Sequence, residues 1–188
     1  MKKIAIFASG NGSNAENICN YFSSSSGVSI VVLYTNKEDS YVIERMKTLK
    51  IPVVVFSKSD LINSLEIDIS LSEKKIDFIV LSGFLLKIPE RIVLNYTNKI
   101  INLHPSLLPK YGGKGMYGNN VHRSVIENNE AESGISIHFV NDNYDEGDIV
   151  FQKICKLEQN ETPESLSEKI HQLEHSFFPK IIEKIILK

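Results

Sequence analysis

Short apolar runs alternate along this chain with segments whose apolar residues recur every three or four positions, a pattern that predicts strands and helices in turn. Residues 4–8 read as a buried strand, and Ala15, Ile18, Cys19 and Phe22 follow at helical spacing. Residues 29–35 read as a second strand, 42–49 as a helix and 53–56 as a third strand entered through Pro52. A polar helical stretch over 61–75 leads to a fourth strand at 78–81, which Ser82-Gly83-Phe84 ends. A short helix begins at Pro89, and 99–103 form the fifth strand.

The last third has a different character. Gly112 to Gly115 form a glycine-rich loop and residues 121–128 a helix; 134–140 and 149–156 then read as two strands joined by a polar loop. Pro163 and Glu164 open a final helix with an apolar stripe at Leu166, Ile170, Leu173, Phe177, Ile181 and Ile185. Near-continuous apolar strands separated by helices require a sheet covered on both faces. The fold class is therefore α/β and Rossmann-like: a mostly parallel twisted sheet with helices on both faces, a C-terminal strand pair and a long C-terminal helix. At 188 residues one domain, 1–188, is expected.

Composition narrows the partners. Lys and Arg number 21 against 23 Asp and Glu, so no overall positive field draws the chain onto nucleic acid or an anionic membrane. Small-molecule substrates are expected, with a monomer or homodimer as the assembly. Cys19 and Cys155 lie far apart and outside any CxxC pair, and both read as small core residues. Lys2 and Lys3 precede too short an apolar run for a signal peptide, and no run reaches membrane-spanning length; a soluble cytoplasmic protein is the expectation.

Four constellations are candidates for chemistry. Asn102 and His104 stand two apart at the end of the fifth strand, so they share a face at its carboxyl end, where open α/β sheets place their sites. An amide N–H and an imidazolium aimed at one point stabilise a developing oxyanion. Gly10-Asn11-Gly12-Ser13-Asn14-Ala15 fits the G-x-G-x-x-G/A pattern between strand and helix, but Thr35 and Asn36 stand where a ribose-binding acid is needed. A monophosphate at Gly12, Ser13 and Asn14 fits better than a dinucleotide; the competing reading is a tight turn capped by Ser13 or Asn14.

The loop from Asn141 to Asp148 departs from the EF-hand spacing and reads as a solvated hairpin loop. Folded over the fifth strand, it brings a carboxylate to His104, which would raise the imidazole pKa and keep it protonated at neutral pH. His171-Gln172-Leu173-Glu174-His175 matches the H-x-x-E-H zinc pattern, but no further ligand is evident. A solvated helix face or a polar substrate contact is preferred, and no metal is expected.

Taken together, Ser9-Gly10-Asn11-Gly12-Ser13-Asn14, Leu81-Ser82-Gly83-Phe84, Asn102 through Tyr111, Ser136 through Val140, Asp145-Glu146-Gly147 and Glu174-His175 resemble the phosphoribosylglycinamide formyltransferase family over essentially the whole chain. The resemblance implies the formyltransferase fold, with a phosphate-binding half of about residues 1–100 and a catalytic, folate-binding half of about 78–188. It implies formyl transfer from the co-substrate 10-formyltetrahydrofolate to the amine of glycinamide ribonucleotide, without a metal. By resemblance Asn102, His104 and Asp145 are the catalytic trio, and Gly12, Ser13 and Asn14 hold the phosphate. Glu174 would meet the ribose, and Leu85, Leu86, Lys87, Ile88, Asn102, Val140 and Asn141 would hold the folate.

The chain departs from many members of that family in the added residues Gly113 to Gly118, in His171 where glutamine is frequent, and at Leu86 and Lys87. Three rival readings stand beside it. Methionyl-tRNA formyltransferase shares the Asn-x-His-Pro block but is expected to carry a further C-terminal domain and a basic surface. Formyltetrahydrofolate hydrolase is expected to carry an N-terminal regulatory domain. A non-enzymatic nucleotide-binding module would need only Gly10 to Ala15.

Overall fold

Strand β1 (Lys2–Phe7) sends Ile4 and Ile6 into one hydrophobic core and Ala5 and Phe7 into another, because alternate side chains leave opposite faces. The computed structural model describes residues 1–188 and builds seven strands into a single sheet around β1. The others are β2 (Val28–Thr35), β3 (Val53–Val55), β4 (Phe78–Leu81), β5 (Ile100–His104), β6 (Glu132–Phe139) and β7 (Ile149–Lys156). Their order is β3-β2-β1-β4-β5-β6-β7. The first five run parallel, whereas β6 is antiparallel to β5 and β7 to β6. The alternating pattern thus gives the predicted sheet, with strand ends displaced by one or two residues.

Helices α1 (Ser13–Phe22), α2 (Val42–Thr48), α6 (Asn119–Glu127) and α7 (Pro163–Ile186) place their apolar residues in the first core. Helices α3 (Lys58–Asn63), α4 (Glu66–Glu73) and α5 (Glu90–Asn95) place theirs in the second. Cys19 is part of the first core, while Cys155, on β7, is only half-buried against it. No helix is long and apolar enough to cross a membrane.

Two helical expectations are corrected. The single helix over 61–75 is two helices, broken where Ser64 adopts an extended backbone. Arg91 makes this break tenable: its guanidinium donates to Leu61 O at 2.6 Å, Ile62 O at 3.1 Å and Ser64 O at 2.8 Å, and to Asp68 Oδ2 at 3.1 Å. It thereby satisfies the carbonyls that the end of α3 leaves without helical partners. The apolar stripe of α7 also shifts. After Ile170 the fully buried positions are Phe178, Pro179, Ile182 and Ile186, with Phe177, Ile181 and Ile185 only partly covered. Pro179 has no N–H to give the carbonyl four residues earlier, and Asn17 Nδ2 of α1 donates to that carbonyl, His175 O, at 2.9 Å.

Arg91→Ala is expected to lower stability by about 2 kcal/mol in urea unfolding, since it strands three carbonyls and a carboxylate at once. A loss within about 0.5 kcal/mol, the range of an ordinary surface change, would show that the α3–α4 break is held by other means.

Candidate active site

Along β5, Ile101 and Leu103 join the first core, so the intervening Asn102 and His104 face the other way. They lie on the wall of a cleft of 800 Å³ that runs over the carboxyl ends of the parallel strands. The cleft opens where the chain, having wound outward through β2 and β3, returns to β4 on the other side of β1. That crossing is stitched by Ser82 N–H to Phe7 O at 2.9 Å, Ser9 N–H to Gly83 O at 3.1 Å and Leu85 N–H to Ser9 Oγ at 3.0 Å.

Asn102, His104 and Asp145 meet. Asn102 Nδ2 lies 3.3 Å from Asp145 Oδ1, and His104 Nδ1 lies 3.6 Å from Asp145 Oδ2. Asp145 reaches this point because the loop after β6 folds back over the sheet, with Asp145 itself at φ 56°. Gly147 permits the fold: a Cβ there would stand 1.8 Å from Phe139 O. The loop is therefore built, not merely solvated, and Gly113 N–H secures its acid by donating to Asp145 Oδ2 at 2.9 Å.

The charge on the trio corrects one expectation. Burial pulls the His104 pKa below the usual imidazole value, outweighing the upward push of Asp145 and of the hydrogen bond that His104 Nε2–H donates to Tyr111 O at 2.7 Å. His104 is 3% exposed, so desolvation of the imidazolium decides the sign of the shift and favours the neutral ring. For Asp145, burial pulls the carboxyl upward, but His138, His104 and the Gly113 N–H together hold it below the ordinary carboxylate range.

His138 is the residue that the sequence reading passed over. It sits opposite Asn102 in the β5–β6 register and is 1% exposed. Its Nδ1–H donates to Phe139 O at 2.8 Å, which turns Nε2 to within 3.1 Å of Asn102 Nδ2 and 3.5 Å of Asp145 Oδ1. The signal was available: Ser136 and His138 are alternate polar residues in a strand whose other positions include Ile135, Ile137 and Phe139. Ser136 anchors the turn after β5, donating to Ser106 O at 2.6 Å and accepting from Leu108 N–H at 2.9 Å.

At the other end of the cleft, Gly12 caps α1 at φ 78°, where a Cβ would stand 2.2 Å from Val42 Cγ2. The first amides of α1 are left without helical partners and point outward, a site suited to an anion. Asn14 Nδ2 donates to Glu174 Oε2 at 2.7 Å, and Ser13 Oγ lies 2.9 Å from His171 Nε2. The H-x-x-E-H residues of α7 thus spend these atoms on α1. Asn14, His171 and Glu174 line the cleft, as do Leu85, Leu86, Lys87, Ile88, Val140 and Asn141; Gly12 and Ser13 lie beside its wall.

An open α/β sheet with an acid, an amide and an imidazole converging at the carboxyl ends of its strands defines a group-transfer or hydrolytic enzyme of the doubly wound class. Residues 2–182 match the family described as formyl transferase, and the chain belongs to that family. It is 39% identical over 190 residues to the chloroplastic phosphoribosylglycinamide formyltransferase of Arabidopsis thaliana, covering 98% of this chain and 65% of that one. It is 32% identical to the phosphoribosylglycinamide formyltransferase of Bacillus subtilis, covering 99% of this chain and 95% of that one. The crystal structure of the Bacillus halodurans phosphoribosylglycinamide formyltransferase superposes with a TM-score of 0.89 at 33% identity, over 100% of this chain and 96% of that one. The chain spans just under two-thirds of the plant relatives' length.

Burial raises the Glu174 carboxyl to about 7, against a smaller downward pull from Asn14. A folded-state value above the unfolded one means that the fold holds this proton more tightly. The contribution is therefore complete below the ordinary glutamate value of 4.5 and is lost as pH rises to about 7. Glu174→Gln should accordingly gain thermal stability relative to the parent between pH 5 and pH 8, read as a difference in Tm that widens with pH. A difference independent of pH would contradict the buried-proton account.

Proposed function

We propose that the chain transfers the formyl group of 10-formyltetrahydrofolate to the amine of glycinamide ribonucleotide, a step of purine synthesis, in the cytoplasm. The observation that carries this reading is the convergence of Asn102 and His104 on the ionised Asp145, on the wall of a cleft of 800 Å³. That volume lies at the upper end of small-molecule sites, which run to about 1,000 Å³, and suits two substrates side by side. The names borne by the Arabidopsis and Bacillus relatives support the same substrates.

The phosphate would sit at the start of α1, with Gly12, Ser13 and Asn14, and the ribose at Glu174. Leu85 to Ile88, Val140 and Asn141 would line the folate side. The half of about residues 1–100 then binds the nucleotide and the half of about 78–188 the folate and the reacting atoms. The chemistry that such a pair supplies is attack of an amine on a formyl carbon, which leaves a tetrahedral species with a negative oxygen.

Asn102 Nδ2–H is a donor for that oxygen, in competition with its 3.1 Å contact to His138 Nε2 and its long 3.3 Å contact to Asp145. His104, neutral at rest, has its Nε2 proton committed to Tyr111 O, so its free lone pair is on Nδ1, the nitrogen facing Asp145. It takes the proton that the amine loses, and the resulting imidazolium is held by Asp145 beside the oxyanion. From Nδ1 the proton passes to the departing N10. Residues of the chain meet the developing charge directly, and no metal is invoked.

The test is to mix the protein with 10-formyltetrahydrofolate and follow folate absorbance with and without glycinamide ribonucleotide. Turnover that requires the amine supports transfer; turnover without it supports a hydrolase; binding without turnover supports a nucleotide-binding module. Asn102→Ala, His104→Ala and Asp145→Ala should each lower kcat by about 100-fold or more while KM changes little. Near-normal turnover in all three would remove these roles.

A further inference from the structure

Tyrosines on the surface of this protein mostly have company. Tyr21 donates to Glu183 Oε2 at 2.7 Å, Tyr111 donates to Glu130 Oε1 at 2.9 Å, and the Arg45 guanidinium lies 5.0 Å above the Tyr41 ring. Tyr117 and Tyr144 differ: they are 49% and 39% exposed, neither hydroxyl has a hydrogen-bond partner, and neither ring stacks on another. Both line the same cleft.

Both tyrosines adjoin one clasp along the chain. Tyr144 immediately precedes Asp145, and Tyr117 follows by four residues the Gly113 whose N–H holds Asp145. Their backbones are tied down although the rings are free. Met116 packs against the first core and Asn120 Nδ2 donates to Gly115 O at 3.2 Å; Asn143 N–H donates to Asn141 Oδ1 at 2.9 Å. Two aromatic faces presented to a cleft by anchored loops form a site for a flat ring, because a tyrosine buries a large area with few torsions to freeze.

Chemistry selects the ring. In 10-formyltetrahydrofolate the aminobenzoyl ring is bonded directly to N10, the atom that must receive a proton beside His104 and Asp145. Whatever is bonded to N10 therefore comes next to the residues adjoining Asp145. We propose that Tyr117 and Tyr144 receive the aminobenzoyl ring of the co-substrate, making the 112–120 loop a specificity-determining wall of the folate side. This rests on the formyl-transfer reading above.

Isothermal titration with p-aminobenzoylglutamate, which carries this ring and no pterin, tests it together with steady-state kinetics. Tyr117→Ala and Tyr144→Ala should each weaken the fragment and raise the KM for 10-formyltetrahydrofolate by about tenfold, the equivalent of an aromatic contact of some 1.4 kcal/mol. The KM for glycinamide ribonucleotide should hold, and Tyr117→Phe and Tyr144→Phe should restore folate affinity. If an alanine variant melts early, Tyr117→Leu or Tyr144→Leu takes its place with the same expected weakening. Unchanged fragment affinity in the alanine variants, equal damage from phenylalanine, or a matching rise in the ribonucleotide KM would each overturn the proposal. If the parent protein forms product normally while the alanine variants bind the fragment as it does, only this proposal fails. If the parent neither turns over nor binds the fragment, the formyl-transfer reading fails with it.

Discussion

A single half-buried carboxylate, that of Asp145, ties this site together. It touches Asn102 and His104 on β5, His138 on β6 and the Gly113 amide on the loop after β5. Removing an anion from water is costly unless donors replace the solvent, and here the Asn102 amide on β5 and the Gly113 N–H on the loop after it do so. The loop that carries Asp145 has a left-handed backbone at that residue and a close approach at Gly147. Local strain and charge burial are thus both offset by the same set of contacts, which hold the loop over β5.

That arrangement also determines how His104 handles protons. An imidazole beside a carboxylate is ordinarily expected to be cationic, yet at 3% exposure the loss of hydration outweighs the partner. In the proposed reaction, a neutral ring next to a fixed negative charge would accept a proton at the moment the substrate amine becomes acidic. On that proposal the ion pair would exist only when the oxyanion does, so its electrostatic benefit would fall on the transition state and not on the resting protein.

Much of the fold was legible because its signals are local. Strand runs, the strand-glycine-helix unit at residues 4–15 and the Asn102/His104 pair all depend on neighbours in sequence. What escaped depends on distant partners. The break at Ser64 needs Arg91, 27 residues away, to satisfy the carbonyls it frees. The shift of the α7 stripe goes with Pro179, whose orphaned carbonyl is answered by Asn17 of α1, 158 residues away. The sign of the His104 shift depends on depth of burial, which no periodicity reveals. His138 was visible as a polar alternate on a strand, but its pairing with Asn102 required the β5–β6 register.

The same reasoning accounts for the H-x-x-E-H segment without a metal ligand role. His171, Glu174 and the carbonyl of His175 face α1 and engage Ser13, Asn14 and Asn17 in turn, one turn of α7 against one turn of α1. A polar seam of this kind fixes the rotation of α1 about its own axis, which a purely apolar contact between helices constrains only loosely. The direction in which the free amides after Gly12 point is therefore set by α7, the helix that also supplies Glu174 to the cleft. The phosphate and ribose contacts proposed for these separate helices would thus be held in register by side chains that also match a zinc-ligand spacing.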